Sequence, residues 1–206
     1  MTVIAIDGTF ASGKGTLAKR LASHYKMPYL DTGKLYRAVA YKLMETKNSP
    51  ENVLEAINAA QKIKPEDLKI PELKSGDVAV NASKVAAHPE VRKELLKFQK
   101  DFAKKGGILD GRDIGTVICP DAEVKLFIDA KAEIRAHRRH LELTAYQESI
   151  SFETVLKQLT ERDTRDMNRK NAPLKIATTA HIIDTTDMTE NDVFENAREI
   201  IDSIIL

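Results

Sequence analysis

The sequence predicts an α/β fold, a five-stranded parallel sheet covered by helices on both faces, and two observations carry that expectation. Apolar runs at Val3–Ile6, Pro28–Leu30, Ile108–Leu109, Val124–Ile128 and His181–Ile183 alternate with segments of helical apolar spacing, and strands separated by helices pair in parallel as buried strands. The first run enters an amphipathic helix through Gly8-Thr9-Phe10-Ala11-Ser12-Gly13-Lys14-Gly15-Thr16. A glycine-rich turn between strand and helix is the context a phosphate-cradling loop needs.

The elements follow in chain order. In the loop, Gly8, Gly13 and Gly15 let backbone N–H groups close around phosphate oxygens, and Lys14 adds a mobile cation where the helix presents its free N–H groups. The usual pattern has a hydroxyl residue directly after the lysine; here Gly15 intervenes and Thr16 supplies it. A turn that binds nothing is the alternative reading. Leu17, Leu21, Ala22 and Tyr25 form the first helical stripe. After the second strand comes Asp31-Thr32-Gly33-Lys34-Leu35-Tyr36-Arg37, where Thr32 is placed to cap the next helix. Arg37, one turn in, is either a surface arginine or a phosphate clamp. Val53, Leu54 and Ile57 mark another helix, and the stretch 62–77, with Pro65, Pro71 and Gly76, reads as a connection or small insertion.

Val91, Leu95, Leu96 and Phe102 form a stripe that Gly106-Gly107 stops. Three strand runs end in acids, Asp7, Asp31 and Asp110. At the third, Asp110-Gly111-Arg112-Asp113-Ile114-Gly115 is either a turn held by aspartates or a functional edge, with Asp110 orienting magnesium through water. Arg135, Arg138 and Arg139 share one helix, and a later one runs from Phe152, Val155, Leu156 and Leu159 into Arg162, Asp163, Arg165, Asp166 and Arg169. Offsets of three, four and seven put Arg162, Arg165, Asp166 and Arg169 on one face. A solvated salt-bridge ladder would have the same spacing; two arginine faces on one helical hairpin suggest a lid for phosphoryl transfer. Val193, Ala197, Ile200, Ile201 and Ile204 close the chain.

With 206 residues and 42% apolar content the chain suits one domain. A net charge of +1 with 31% charged residues gives no global basic field, so no nucleic-acid partner is expected. No run reaches the roughly 18 apolar residues of a membrane span, and with no targeting segment before the first strand the expectation is a cytoplasmic protein that binds no membrane. Cys119, alone and before Pro120, reads as a packing residue, and His137 and His140 have no partners at metal-ligand spacing.

The phosphate loop, Asp31-Thr32-Gly33-x-x-Tyr36-Arg37, the segment from Asn81 to Ala86, Asp110-Gly111-Arg112-Asp113-Ile114-Gly115-Thr116 and the run from Glu161 to Arg169 resemble the bacterial cytidylate kinase family over nearly the whole chain. Gly-Lys-Gly-Thr in the loop is common among monophosphate kinases. The resemblance implies a P-loop NTPase three-layer fold with a core of 1–37, 106–130 and 171–206, a shortened monophosphate-binding region at about 38–105 and a helical lid at about 131–170. It implies a monomeric enzyme that moves the γ-phosphoryl group of ATP, with Mg2+, to CMP or dCMP. UMP, AMP or another small acceptor is the alternative, and a nucleotide-driven switch is a third reading.

By the same resemblance, Gly8 to Thr16 hold ATP, Arg135 stacks on its adenine and Arg139 reaches its phosphates. Lys14, Arg139, Arg165 and Arg169 serve the transferred group, and Thr16 and Asp110 the metal. Thr32, Arg37, Arg112 and Arg169 hold the CMP phosphate; Ser83, Arg92 and Asp113 read the cytosine edge; Arg162 and Asp166 take the sugar. Two features depart from the family: only Leu73 to Asp77 precedes the serine-bearing segment, and Lys34 stands where a small residue is usual.

Overall fold

The computed structural model describes residues 1–145 and 149–205. Strand β1 (Val3–Gly8) is followed by α1 (Lys14–Tyr25), β2 (Tyr29–Asp31), α2 (Thr32–Glu45) and α3 (Val53–Gln61). Two 3-10 turns, Pro65–Lys69 and Pro71–Lys74, lead to α4 (Gly76–Val85) and α5 (Pro89–Ala103). Then come β3 (Gly107–Gly111), a π-helical turn (Ile114–Ile118), β4 (Val124–Asp129), α6 (Ala132–Ala145), α7 (Phe152–Asn168), β5 (His181–Asp184) and α8 (Glu190–Ile205). Among the described residues the strands form one parallel sheet in the order β2-β3-β1-β4-β5.

β1 lies at the centre because both its faces are apolar. Ile4 and Ile6 pack with Leu17 and Leu21 of α1 and Phe194 and Ile201 of α8, while Ala5 joins Leu109 and Ile114 under Phe98 and Phe102 of α5. The two-residue alternation of a strand thus survives in a run with no polar position. Asp7 pairs in register with Gly111, and Gly8 with Ile128. The carboxyl ends of the three central strands are therefore level, and the turns that leave them share one crevice, where ligands bind in sheets of this kind.

Four sequence expectations change. β5 is the sheet's edge and not a buried strand, since Ile182 is 60% exposed and only Ile183 of its four residues is buried. On α3 the buried residues are Ala56 and Ala60, whereas Leu54 is exposed: a short helix that packs on α2 does so through its small side chains. The stretch 62–77 is more ordered than a plain connection. Each 3-10 turn has a proline in its first turn, Leu73 is buried with Ala38 and Val78, and Ser75 caps α4 by accepting from Val78 N at 3.4 Å. Finally, Asp31 rather than Thr32 caps α2, its carboxylate accepting from Lys34 N at 3.2 Å. Thr32 instead donates to Asp110 O at 2.7 Å. Cys119 is buried beside Ala5 and Ile118 as expected, and burial pushes its thiol up to about 11. No helix among the described residues is long and apolar enough to cross a membrane.

Candidate active site

The loop after β1 is set by close backbone contact. A Cβ on Gly8 would lie 2.0 Å from Ile128 O, so the chain turns against β4 only as glycine. Thr9 donates to Asp129 Oδ1 at 2.6 Å and Ser12 to Thr9 O at 3.1 Å, so both hydroxyls serve the loop itself and leave the backbone to meet a ligand. No side chain caps α1, and the N–H groups at its start face the cleft with the helix dipole behind them. Lys14 folds back to Thr9 O at 3.0 Å. Burial pushes its ammonium well below the ordinary range, and the charge of Arg112 adds to this. An anion beside Lys14 would reverse that cost.

Lys14 lines a cleft of ≈ 480 Å³ together with Thr16, Lys34, Arg37, Asp110, Arg112, Arg139 and Arg162. This space falls within the roughly 300–1,000 Å³ of small-molecule sites. Asp110 forms part of its wall, accepting from Tyr29 Oη at 3.2 Å; burial and the charge of Asp31 push its carboxyl up. A Cβ on Gly15 would stand 3.2 Å from Asp110 Oδ2, so the glycine between Lys14 and Thr16 lets the loop lie against this acid.

Every residue assigned to the monophosphate except Arg37 lines a second, adjoining cavity, of only ≈ 40 Å³. It is small because its charges hold one another. Arg92 is bonded to Asp113 Oδ2; Arg169 reaches Asp113 Oδ1 at 3.5 Å and Asp166 Oδ1 at 3.7 Å; Arg112 Nε donates to Asp166 Oδ2 at 2.9 Å. Burial pushes Asp166 up, but Arg112, Arg162 and Arg169 outweigh it and hold the carboxyl below its ordinary value. Ser83 accepts from Arg165 Nε at 3.2 Å. Arg169 lies just beyond α7 in extended backbone, not on the helical face, yet still points into the same cavity.

The segment from Leu73 to Ala79 closes over this site. Arg37 on α2 donates to Leu73 O, Arg139 on α6 to Lys74 O and Arg162 on α7 to Ala79 O, each at 3.2 Å. Three guanidiniums from three elements thus bond peptide oxygens of one seven-residue segment. Phe10 lies beneath two of them, with Arg162 4.0 Å and Arg139 5.6 Å from its ring centroid. Sequence reasoning counted Phe10 only as a loop member; a large aromatic where small residues suffice was the available signal.

Arg135 requires a correction. It is buried, donating to Ala130 O at 2.7 Å, Phe10 O at 3.0 Å and Asp163 Oδ2 at 2.7 Å, and presents no open face to an adenine. Arg138 instead borders the hollow of ≈ 170 Å³ beside Gly13, Thr16 and Leu17. Two bonds to Thr185 fix it there, at 2.9 Å to the hydroxyl and 2.7 Å to the carbonyl.

Comparison with known proteins identifies the family by sequence and the fold by structure. A sequence profile described as cytidylate kinase matches residues 4–203. A cytidylate kinase of Nitrobacter winogradskyi is 47% identical over 204 residues, covering 98% of this chain and 96% of that protein. One from Paramagnetospirillum magneticum is 48% identical over 207 residues, covering 98% of each. Among solved structures, an uncharacterised protein from Eubacterium ventriosum shares the fold with a TM-score of 0.53 and 18% identity, covering 98% of both chains.

Proposed function

This chain belongs to the cytidylate kinase family, and we propose that it transfers the γ-phosphoryl group of ATP to CMP or dCMP, releasing ADP and CDP or dCDP. The observation that carries this reading is the meeting, at one sheet edge, of the loop bearing Lys14 with the cluster that joins Arg112, Asp166, Arg169 and the Arg92–Asp113 pair. A phosphate loop alone fits many reactions; the second cluster supplies an acceptor site.

Transfer proceeds in line. The bond between γ-phosphorus and the β-bridging oxygen breaks as an oxygen of the CMP phosphate bonds the same phosphorus, and ADP departs with the electron pair. The acceptor oxygen is already ionised at neutral pH, so no general base is required, and catalysis is positioning and charge neutralisation. Gly8 to Thr16 carry the ATP phosphates through the loop backbone, with Arg138 beside the adenine hollow. Lys14, Arg139, Arg165 and Arg169 neutralise the group in flight. Thr32, Arg37, Arg112 and Arg169 hold the CMP phosphate, and Arg162 and Asp166 the sugar. For the base, Asp113 accepts from the exocyclic amine of cytosine, Arg92 donates to its ring acceptors and Ser83 completes the edge. Uracil would set a carbonyl oxygen against the Asp113 carboxylate.

The residues present suit Mg2+ held with the ATP phosphates. Thr16 sits exposed at the start of α1, and the Asp110 carboxyl, pushed up by burial, lines the same cleft where a nearby cation would favour its ionised form. When bound, the ion neutralises charge on the β- and γ-phosphates. On this reading 1–37, 106–130 and 171–206 are the core, 38–105 the acceptor region and 131–170 the lid of a cytoplasmic monomer. A coupled ADP-release assay with CMP, dCMP, UMP and AMP tests the assignment: acceptor-dependent release with the cytidylates supports it, and slow release independent of any acceptor contradicts it.

A further inference from the structure

Asp7 takes no part in the chemistry described so far, yet it is 4% exposed at the end of the central strand. Its two oxygens accept from Ile114 N and Gly115 N, each at 2.8 Å and from 107 and 108 residues away. Those N–H groups open the π-helical turn Ile114–Ile118, and N–H groups at the start of a helical turn have no acceptor within it. The residue placed to meet them is Asp113, which stands at the N-cap position, and an aspartate there ordinarily turns its carboxylate onto its own turn. Asp113 makes no such bond; its oxygens go to Arg92 and Arg169.

We infer that Asp7 is a positioning residue for base recognition: by capping the turn from β1, it releases the Asp113 carboxylate to pair with Arg92 and face the base. Asp7 can impose this geometry because its own position is fixed. Gly8, directly after it, fits against Ile128 with no room for a Cβ, and β1 is hydrogen-bonded on both sides. The base-reading turn is thus tied to the root of the phosphate loop. The inference rests on the assignment of Asp113 to the cytosine edge.

The test compares the ratio of kcat/KM for CMP to that for UMP in the wild type, Asp7→Asn, Asp113→Asn and the double variant. Asparagine keeps one acceptor and sets an amide N–H against a backbone N–H, so Asp113 is drawn back to cap its own turn. The ratio then falls about tenfold in Asp7→Asn, while KM for ATP changes by less than about threefold. The double variant is no less selective than Asp113→Asn, because the first residue acts through the second. Losses that multiply, or an unchanged ratio in Asp7→Asn while Asp113→Asn loses selectivity, overturn the role of Asp7. An unchanged ratio in Asp113→Asn overturns the base assignment, and the inference with it. Should Asp7→Asn not fold, Asp7→Ser probes the same two bonds, since it leaves a single, shorter oxygen acceptor where two now meet Ile114 N and Gly115 N. A fall in the ratio supports the inference there, and no change overturns it.

Discussion

Arg37 donates from Nη1 to the carbonyl of Leu73 at 3.2 Å, so a guanidinium assigned to the acceptor phosphate is held by a peptide oxygen of the segment before α4. Arg139 and Arg162 are held the same way at Lys74 and Ala79. Burial depresses Arg162 against the pull of Asp166, with Arg112, Arg37 and Arg139 adding to the effect, so the peptide oxygens leave an excess of positive charge that phosphates would satisfy better. With CMP bound, amide hydrogen exchange should therefore accelerate between Leu73 and Ala79 and slow in α2, which carries Arg37. Uniform slowing of both segments would count against the exchange of partners.

Lys14 illustrates the cost of the site. A buried ammonium is unfavourable without an anion, so Lys14→Met should leave the midpoint of thermal unfolding unchanged or raised while kcat falls by more than about a thousandfold. Differential scanning calorimetry and steady-state rates on one preparation check both halves. A large drop in unfolding temperature would show that the lysine is structural.

The burial of Asp7 has a sign that can be measured. Its carboxyl is pushed from 3.8 up to about 6, chiefly by burial, so the native protein holds a proton there more readily than the unfolded chain. That contribution to stability is full below pH 3.8 and is lost as pH rises to about 6. The stability difference between wild type and Asp7→Asn, from urea unfolding, should shift against the wild type by on the order of 3 kcal/mol over this window and stay flat above it. A difference that changes only above pH 7 would contradict the assignment.

Arg135 and Arg138 should separate cleanly. Arg135→Ala leaves Asp163 buried without its partner, and about 3–5 kcal/mol of stability should be lost. Arg138→Ala removes the side chain beside the hollow next to Gly13 and should raise KM for ATP about tenfold while KM for CMP stays within about twofold.

What the sequence could show follows from the range of each signal. The phosphate loop, the central strands and the turn at Arg112-Asp113 were legible because periodicity and glycine spacing act over a few residues. The spacing of Arg135, Arg138 and Arg139 placed them on one helix but could not tell which one is buried and which borders the hollow beside Gly13, because that depends on Asp163 and Thr185 far along the chain. Asp31 and Thr32 are adjacent and both are good caps; the choice fell to Asp31 because Asp110 O, on the neighbouring strand, takes the Thr32 hydroxyl. Asp7 was visible only as an acid at a strand end, because its partners lie more than a hundred residues away.

The most direct test of the central claim is kcat/KM with saturating ATP for CMP, dCMP, UMP and AMP as acceptors. The assignment of the paired Arg92 and Asp113 to the cytosine edge predicts CMP and dCMP ahead of UMP by at least about tenfold, as expected when the wrong base leaves a buried polar group unpaired, with AMP slower still. Equal rates for CMP and UMP, or a preference for AMP, would contradict it.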